Sequence, residues 1–254
     1  MTVLHLASPA EVRARVDAVH EDIRIPHPSA KFPRGEIVVP WKTITTVDRL
    51  ALLGGFRISE IVTKFSGEKG NTSNTLSIDD NVIHRDTKQK VLLIRVNTLK
   101  KKAPVQREIG IPLSQEHEPW ASMVAYQWRN AGGNPCNISR QVAWAANRII
   151  FKGLGYKVRS WIRYKRNEKQ RIQRDANGKK IIIEIIPEHI KQGSDHFLRH
   201  IRTTELRQMQ FTPEERANFY KWSPITFGGN PLLETYDNIE WFEMFPKLLK
   251  ERRI

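Results

Sequence analysis

In the stretch SDHFLRHIRTTELRQ, His196 and Arg199 stand three residues apart and His200 follows directly. On a helix that spacing puts the first two side chains on one face. Arginine is a planar, permanently charged fork that matches the oxygens of a phosphate, and histidine donates a hydrogen bond or moves a proton near neutral pH. The pair suits phosphoryl chemistry. His-x-x-Arg is also a short pattern that arises as ordinary surface or capping residues, so the neighbouring blocks decide what it means.

Those blocks run in order along the chain. GGFRISE sets Arg57 just after two glycines and Glu60 one turn further on; NTLKKKAPVQREIGIP holds Lys100, Lys101 and Lys102; NFYKWSP holds Tyr220 and Trp222; LLETYDN holds Tyr236. The series resembles the catalytic domain of the tyrosine recombinases, the integrase-like enzymes of DNA strand exchange. Gly55, Arg57, Ser59 and Glu60 fit that family's G-x-R-x-S-E pattern, and residues 196–200 fit its His-x-Leu-Arg-His pattern. The likeness extends from about Trp41 to Trp241.

The resemblance implies a site-specific recombinase or integrase that cleaves and rejoins DNA through a covalent 3'-phosphotyrosine intermediate. A tyrosine oxygen attacking a phosphodiester raises charge on the non-bridging oxygens, which fixed cations stabilise. By resemblance Arg57 and Arg199 take that role, Lys100 protonates the leaving hydroxyl, His196 assists proton movement, and Tyr236 is the nucleophile. Lys101 and Lys102 stand close enough to replace Lys100 or to hold DNA. Trp222 fills the family's His-or-Trp station, its indole donating to a phosphate oxygen, or else packs in the core. Glu60 supports Arg57, and His200 matches a mainly structural histidine. The gap from Trp222 to Tyr236 is longer than the family's, with TFGGNP as the extra loop, which keeps Tyr220 as a competing nucleophile.

The covalent route needs neither metal nor cofactor, and no dense carboxylate motif or Gly-x-x-x-x-Gly-Lys loop points to one. Ile78 to Asp80 read as a turn before a strand. The implied partners are double-stranded DNA and further copies of the chain, assembling as a dimer to tetramer on DNA. Two other readings remain open: a type IB topoisomerase-like relaxing enzyme, and a DNA-binding module with a decayed site.

Composition agrees with a nucleic-acid partner. Forty-two Lys and Arg against 27 Asp and Glu give a formal charge of +15, the footprint of a polyanion binder. The single Cys136 excludes an internal disulfide and points to a reducing compartment. No apolar run approaches the ~20 residues that span a bilayer, so a cytoplasmic place is expected, on the nucleoid or with a virus or mobile element.

A mixed α+β fold, mainly helical, must position these residues: a recombinase-like domain with a small antiparallel sheet and a β-hairpin insertion. Residues 1–40 read as a short helix, capped by Ser8, Pro9 and Glu11 and running to about Ile23, followed by an extended tether containing Pro26, Pro28, Pro33 and Pro40. The catalytic domain is expected over 41–254. TTVDRLALLGG should be a helix ended by Gly54 and Gly55, with a second helix over FRISEIVTKF. NVIHRD, KVLLIRVN and QREIGIP read as three strands. Helices are expected over EPWASMVAYQWRN and, capped by Ser139, over RQVAWAANRIIFKGLGY, where Gln141 and Arg148 are candidate base readers. A basic hairpin about 162–187 turns at DANGKK and offers Arg171 and Arg174 to phosphates. The tail about 240–254 is apolar enough to need a partner surface, its own core or a neighbouring protomer.

Overall fold

A computed structural model describes residues 4–27, 35–63, 76–97, 106–168, 171–194, 196–220 and 240–250. They form a mixed α+β fold with several short sheets, mostly antiparallel. Near the start, α1 (Pro9–Asp17) carries the expected capping box: Ser8 Oγ accepts from the Glu11 amide at 3.2 Å, and the Glu11 carboxylate accepts from the Ser8 amide at 2.8 Å. The helix stops well short of Ile23. Ile23–Pro26 instead forms β2, paired antiparallel with β3 (Glu36–Val39), a use that suits the β-branched and proline residues there.

At the centre lies α2 (Trp41–Gly54), buried continuously from Ile44 to Gly54, as befits a helix enclosed on all sides. Its polar threonines are satisfied internally: Thr45 and Thr46 donate to the carbonyls of Trp41 and Lys42 at 2.8 and 2.7 Å. Gly55, at φ 58°, ends it in the left-handed cap that the glycine pair predicts. Against α2 pack α1, α3 (Ile58–Ile61), α4 (Pro119–Asn130), α5 (Arg140–Ile150) and α6 (Phe197–Gln208). The second expected helix is thus a single turn. Val62 is extended, and the Thr63 amide donates to the Cys136 carbonyl at 3.0 Å, which draws the chain out of the helix.

Buried charge locks α1 to this core. The Arg13 guanidinium donates to Glu205 at 2.6 Å and to Glu118 at 2.9 Å, and lies 4.4 Å from the centre of the Trp120 ring. Glu205 also accepts from Arg202 at 2.8 Å.

Three strands form where three are expected, β4 (Ser77–Ile83), β5 (Lys90–Asn97) and β6 (Gln106–Pro112), antiparallel in that order, although β4 starts four residues before NVIHRD and leaves His84–Asp86 to the turn that follows. Ile78 to Asp80 lie inside β4 rather than in a turn before it, because Ile78 pairs opposite Ile94 on the apolar side of β5; the register breaks between Asp79 and Val82. The tail segment α8 (Trp241–Leu248) finds its cover in the protein's own core. It lies on β6, where the Trp241 ring occupies the space that a side chain at Gly110 would need, and Phe245 stacks 4.6 Å from His84.

α5 ends at Ile150, earlier than its apolar pattern suggests, since Leu154–Val158 is taken up as β7 between β1 (His5–Leu6, parallel) and β10 (His189–Gln192, antiparallel). From this sheet projects an arm, β8 (Trp161–Tyr164) paired with β9 (Ile182–Ile186), the expected basic hairpin. Its turn at Asp175–Gly178 is held by the Asp175 carboxylate, which accepts from the amides of Asn177 and Lys179; the Asn167 amide donates to the Arg171 carbonyl at 2.9 Å. Between α6 and α8 lies α7 (Pro213–Tyr220). No helix among the described residues is long and apolar enough to cross a membrane.

Candidate active site at the start of α6

The glycine-ended turn after α2 aims Arg57. Glu60, buried one turn later in α3, accepts from the Arg57 amide at 2.8 Å and from its guanidinium at 2.9 Å, so one carboxylate fixes both the backbone and the side chain. The Glu60 side chain is 1% exposed and that of Arg57 25%, which leaves part of the arginine fork facing outward. Ser139 caps α5, its Oγ accepting from the Val142 amide at 3.3 Å, and sets Arg140, Gln141 and Trp144 on the opposite wall. His196, exposed at the N-cap of α6, completes the ring. Arg57, Ser59, Arg140, Gln141, Trp144 and His196 line one cavity of about 420 Å³.

Arg199 does not line this cavity. Its guanidinium lies 4.6 Å from the centre of the Tyr220 ring. Burial, and then the positive charge of Arg57, push its pKa below the ordinary guanidinium value, while Tyr220 and Glu60 act the other way. Tyr220 itself is buried: its hydroxyl accepts from Thr203 at 3.1 Å and donates to the Arg199 carbonyl at 3.3 Å, and burial raises its pKa. A side chain at Gly55 would run into the Tyr220 ring, a second reason besides its φ for glycine there.

Arg107 belongs to the same group of cations, although no motif in the sequence marks it. It is 1% exposed, donates from Nε to the Phe219 carbonyl at 2.7 Å and from its terminal nitrogen to the Gly54 carbonyl, and stands 4.8, 5.5 and 5.4 Å from the ring centres of Phe56, Phe219 and Tyr220. Burial, then Arg199, push it down to about 9, with Arg57 contributing in the same direction, so it stays charged at neutral pH. One signal was available. In QREIGIP, period-two alternation sets Arg107 on the face of Ile109 and Ile111, the buried one. Among the described residues Glu60 is the carboxylate that couples to Arg57, Arg107 and Arg199 alike.

The remaining candidates are scattered. His200 stacks on Tyr156 with ring centres 4.6 Å apart, and burial, then His196 and Arg199, lower its pKa. Arg148 donates to Gln192 at 3.2 Å and lies 5.2 Å from the Trp144 ring centre, which ties α5 to β10. Arg171 and Arg174 are on the arm and do not line the cavity, and Arg174 donates to the Gly178 carbonyl at 2.7 Å. Lys100, Lys101, Lys102, Trp222 and Tyr236 lie outside the described residues. Among the described residues no cluster of three His, Cys, Asp or Glu side chains is placed to hold a metal ion. The Cys136 thiol is buried, and burial raises its pKa.

Compared with protein-family models, curated proteins and solved structures, the chain matches none.

Proposed function

We propose that the protein is a tyrosine recombinase, a site-specific recombinase or integrase that cuts and rejoins double-stranded DNA through a covalent 3'-phosphotyrosine. The observation that carries this reading is the convergence of Arg57 and His196, distant in sequence, on one open cavity, with Arg199 and Arg107 near enough for the three guanidiniums to feel one another. Like charges gathered in a poorly solvated place are stabilised by an anion between them. A phosphodiester supplies one.

In this mechanism the Tyr236 oxygen bonds to phosphorus and the P–O5' bond breaks. Arg57 and Arg199 take up the charge that grows on the non-bridging oxygens, Trp222 donates to one of them, and Lys100 delivers a proton to the departing 5' oxygen. His196 removes or returns the phenol proton. The ester energy stays in the protein–DNA bond, so the reverse attack rejoins the strand. Tyr220 is assigned a packing role, since its phenol is enclosed, hydrogen-bonded and harder to ionise than a free tyrosine. Strand exchange requires two sites, hence self-association on DNA, and the helical core with its three-stranded sheet and hairpin is read as the recombinase catalytic domain.

Incubation with a duplex nicked so that the released fragment diffuses away, in the presence of chelator, should leave a denaturation-resistant adduct that Tyr236→Phe abolishes. An adduct that persists in Tyr236→Phe, or none with any duplex, overturns the mechanism. Plasmid relaxation without exchange between two sites would reassign the same chemistry to a topoisomerase.

A further inference from the structure

A second cleft, of about 700 Å³, lies at the foot of the arm. Register sets Tyr156 of β7 opposite Lys191 of β10, so both side chains share one face of that sheet. Lys157, Arg159 and Trp161 form the side nearest the arm, and His200 closes it against α6. The first cavity ends at His196 and this one at His200, one helical turn or about 6 Å along the same helix.

The chemistry of this lining is specific. Trp161 is 48% exposed, and among the described residues its ring makes no ring stack and no cation–π contact. Arg159 and Lys191 make no ion pair among the described residues, whereas Lys157 is tied to Glu188 at 2.7 Å. The lowered pKa of His200 favours its neutral imidazole, which has one donor and one acceptor. An open aromatic face beside two cations without carboxylate partners matches a nucleotide: a flat base with a phosphate on either side.

We infer that this cleft binds a single-stranded segment of nucleic acid, with a base stacked on Trp161 and phosphates held by Arg159 and Lys191. An intact duplex fits it poorly. Paired bases hide their faces in the stack, and a concave cleft closed by an arm on one side admits one strand, while duplex grooves accept protruding elements. Duplex cleavage in the first cavity does not require such a site, and the inference stands apart from the strand-cleavage reading.

The test is fluorescence anisotropy with a short labelled oligothymidylate and, separately, a duplex of equal length, with circular dichroism as the check on folding. The wild-type protein should bind the single strand. Trp161→Ala should weaken that binding about tenfold, the scale of one stacked base, and Trp161→Phe should restore most of it. Lys191→Ala should reduce the dependence of log K on log salt by about 0.7. Duplex affinity should be unmoved by Trp161→Ala. The inference is overturned if the wild-type protein ignores the single strand, if Trp161→Ala binds it as well as wild type, or if duplex and single strand lose equally. Adduct formation on nicked duplex is scored independently: an adduct without oligothymidylate binding removes this inference alone, and binding without an adduct removes the cleavage mechanism alone.

Discussion

The helical core around α2 and α6 and the arm of β8 and β9 are both rich in arginine, and they use it in opposite ways. In the core, Arg13, Arg107 and Arg202 are buried or nearly so: Arg13 donates to Glu118 and Glu205, Arg107 to the carbonyls of Phe219 and Gly54, and Arg202 to Glu205. On the arm, Arg163 is 59% exposed and meets Glu184 only at 3.7 Å, and Arg171 and Arg174 are exposed on the surface, Arg174 bonding only the Gly178 carbonyl of its own turn. A buried guanidinium has one conformation and defines geometry; an exposed one keeps its freedom and supplies charge. The contrast is one of fixed geometry in the core against exposed positive charge on the arm. Between the two extremes sits Arg57, held by Glu60 on one edge and open on the other.

The sharpest break of this contrast is Arg13→Met. Glu118 and Glu205, whose side chains are 3% and 2% exposed, would lose a shared cation, although Arg202 still serves Glu205. Breaking a buried pair by removing one partner costs about 3–5 kcal/mol. Urea unfolding should show a loss of that size. A change no larger than that of an arm arginine would mean that the core network is not structural.

Next in size is Arg199→Ala. Losing one group that stabilises transition-state charge slows a reaction by about a hundredfold or more, so adduct formation on the nicked duplex should fall at least that far while duplex affinity changes little. Equal loss of both would place Arg199 with the arm, as a residue that merely holds the backbone.

How far the sequence foretold this division varied from residue to residue. The Gly55 cap, the Ser8 and Ser139 caps and the three-stranded sheet were legible because each is written in residues a few positions apart. The neighbourhood of Arg57 and His196 was legible through a family pattern, not through any local rule. Arg13 was not legible at all: its partners stand 105 and 192 residues away, and nothing in PAEVRARVD distinguishes it from Arg15, which is exposed. Arg107 was half legible, since alternation gave its face but not the carbonyls of Gly54 and Phe219 waiting for it. Short helices were overextended for one reason. Apolar periodicity continued past Ile61 and Ile150, whereas the backbone left the helix to meet Cys136 in one case and to join β1 and β10 in the other.

The arm gives the mildest and cleanest test. Replacing Arg163, Arg166, Arg171 and Arg174 together with Gln removes four charges from a ribbon whose side chains there are exposed or half-exposed. Exposed ion pairs such as Arg163 with Glu184 are worth little, and the strand pairing of β8 and β9 is made by backbone groups, so the unfolding midpoint should stay at its wild-type value. If the arm lies along a duplex, each phosphate that is no longer neutralised lowers the slope of log K against log salt by about 0.9. The variant should therefore bind more weakly at low salt and converge on wild type as salt rises, with the rate of adduct formation at saturating DNA unchanged. A fall in that saturated rate would show that the arm orders the cavity as well as attracting the strand, and the separation between precise core and permissive arm would no longer hold.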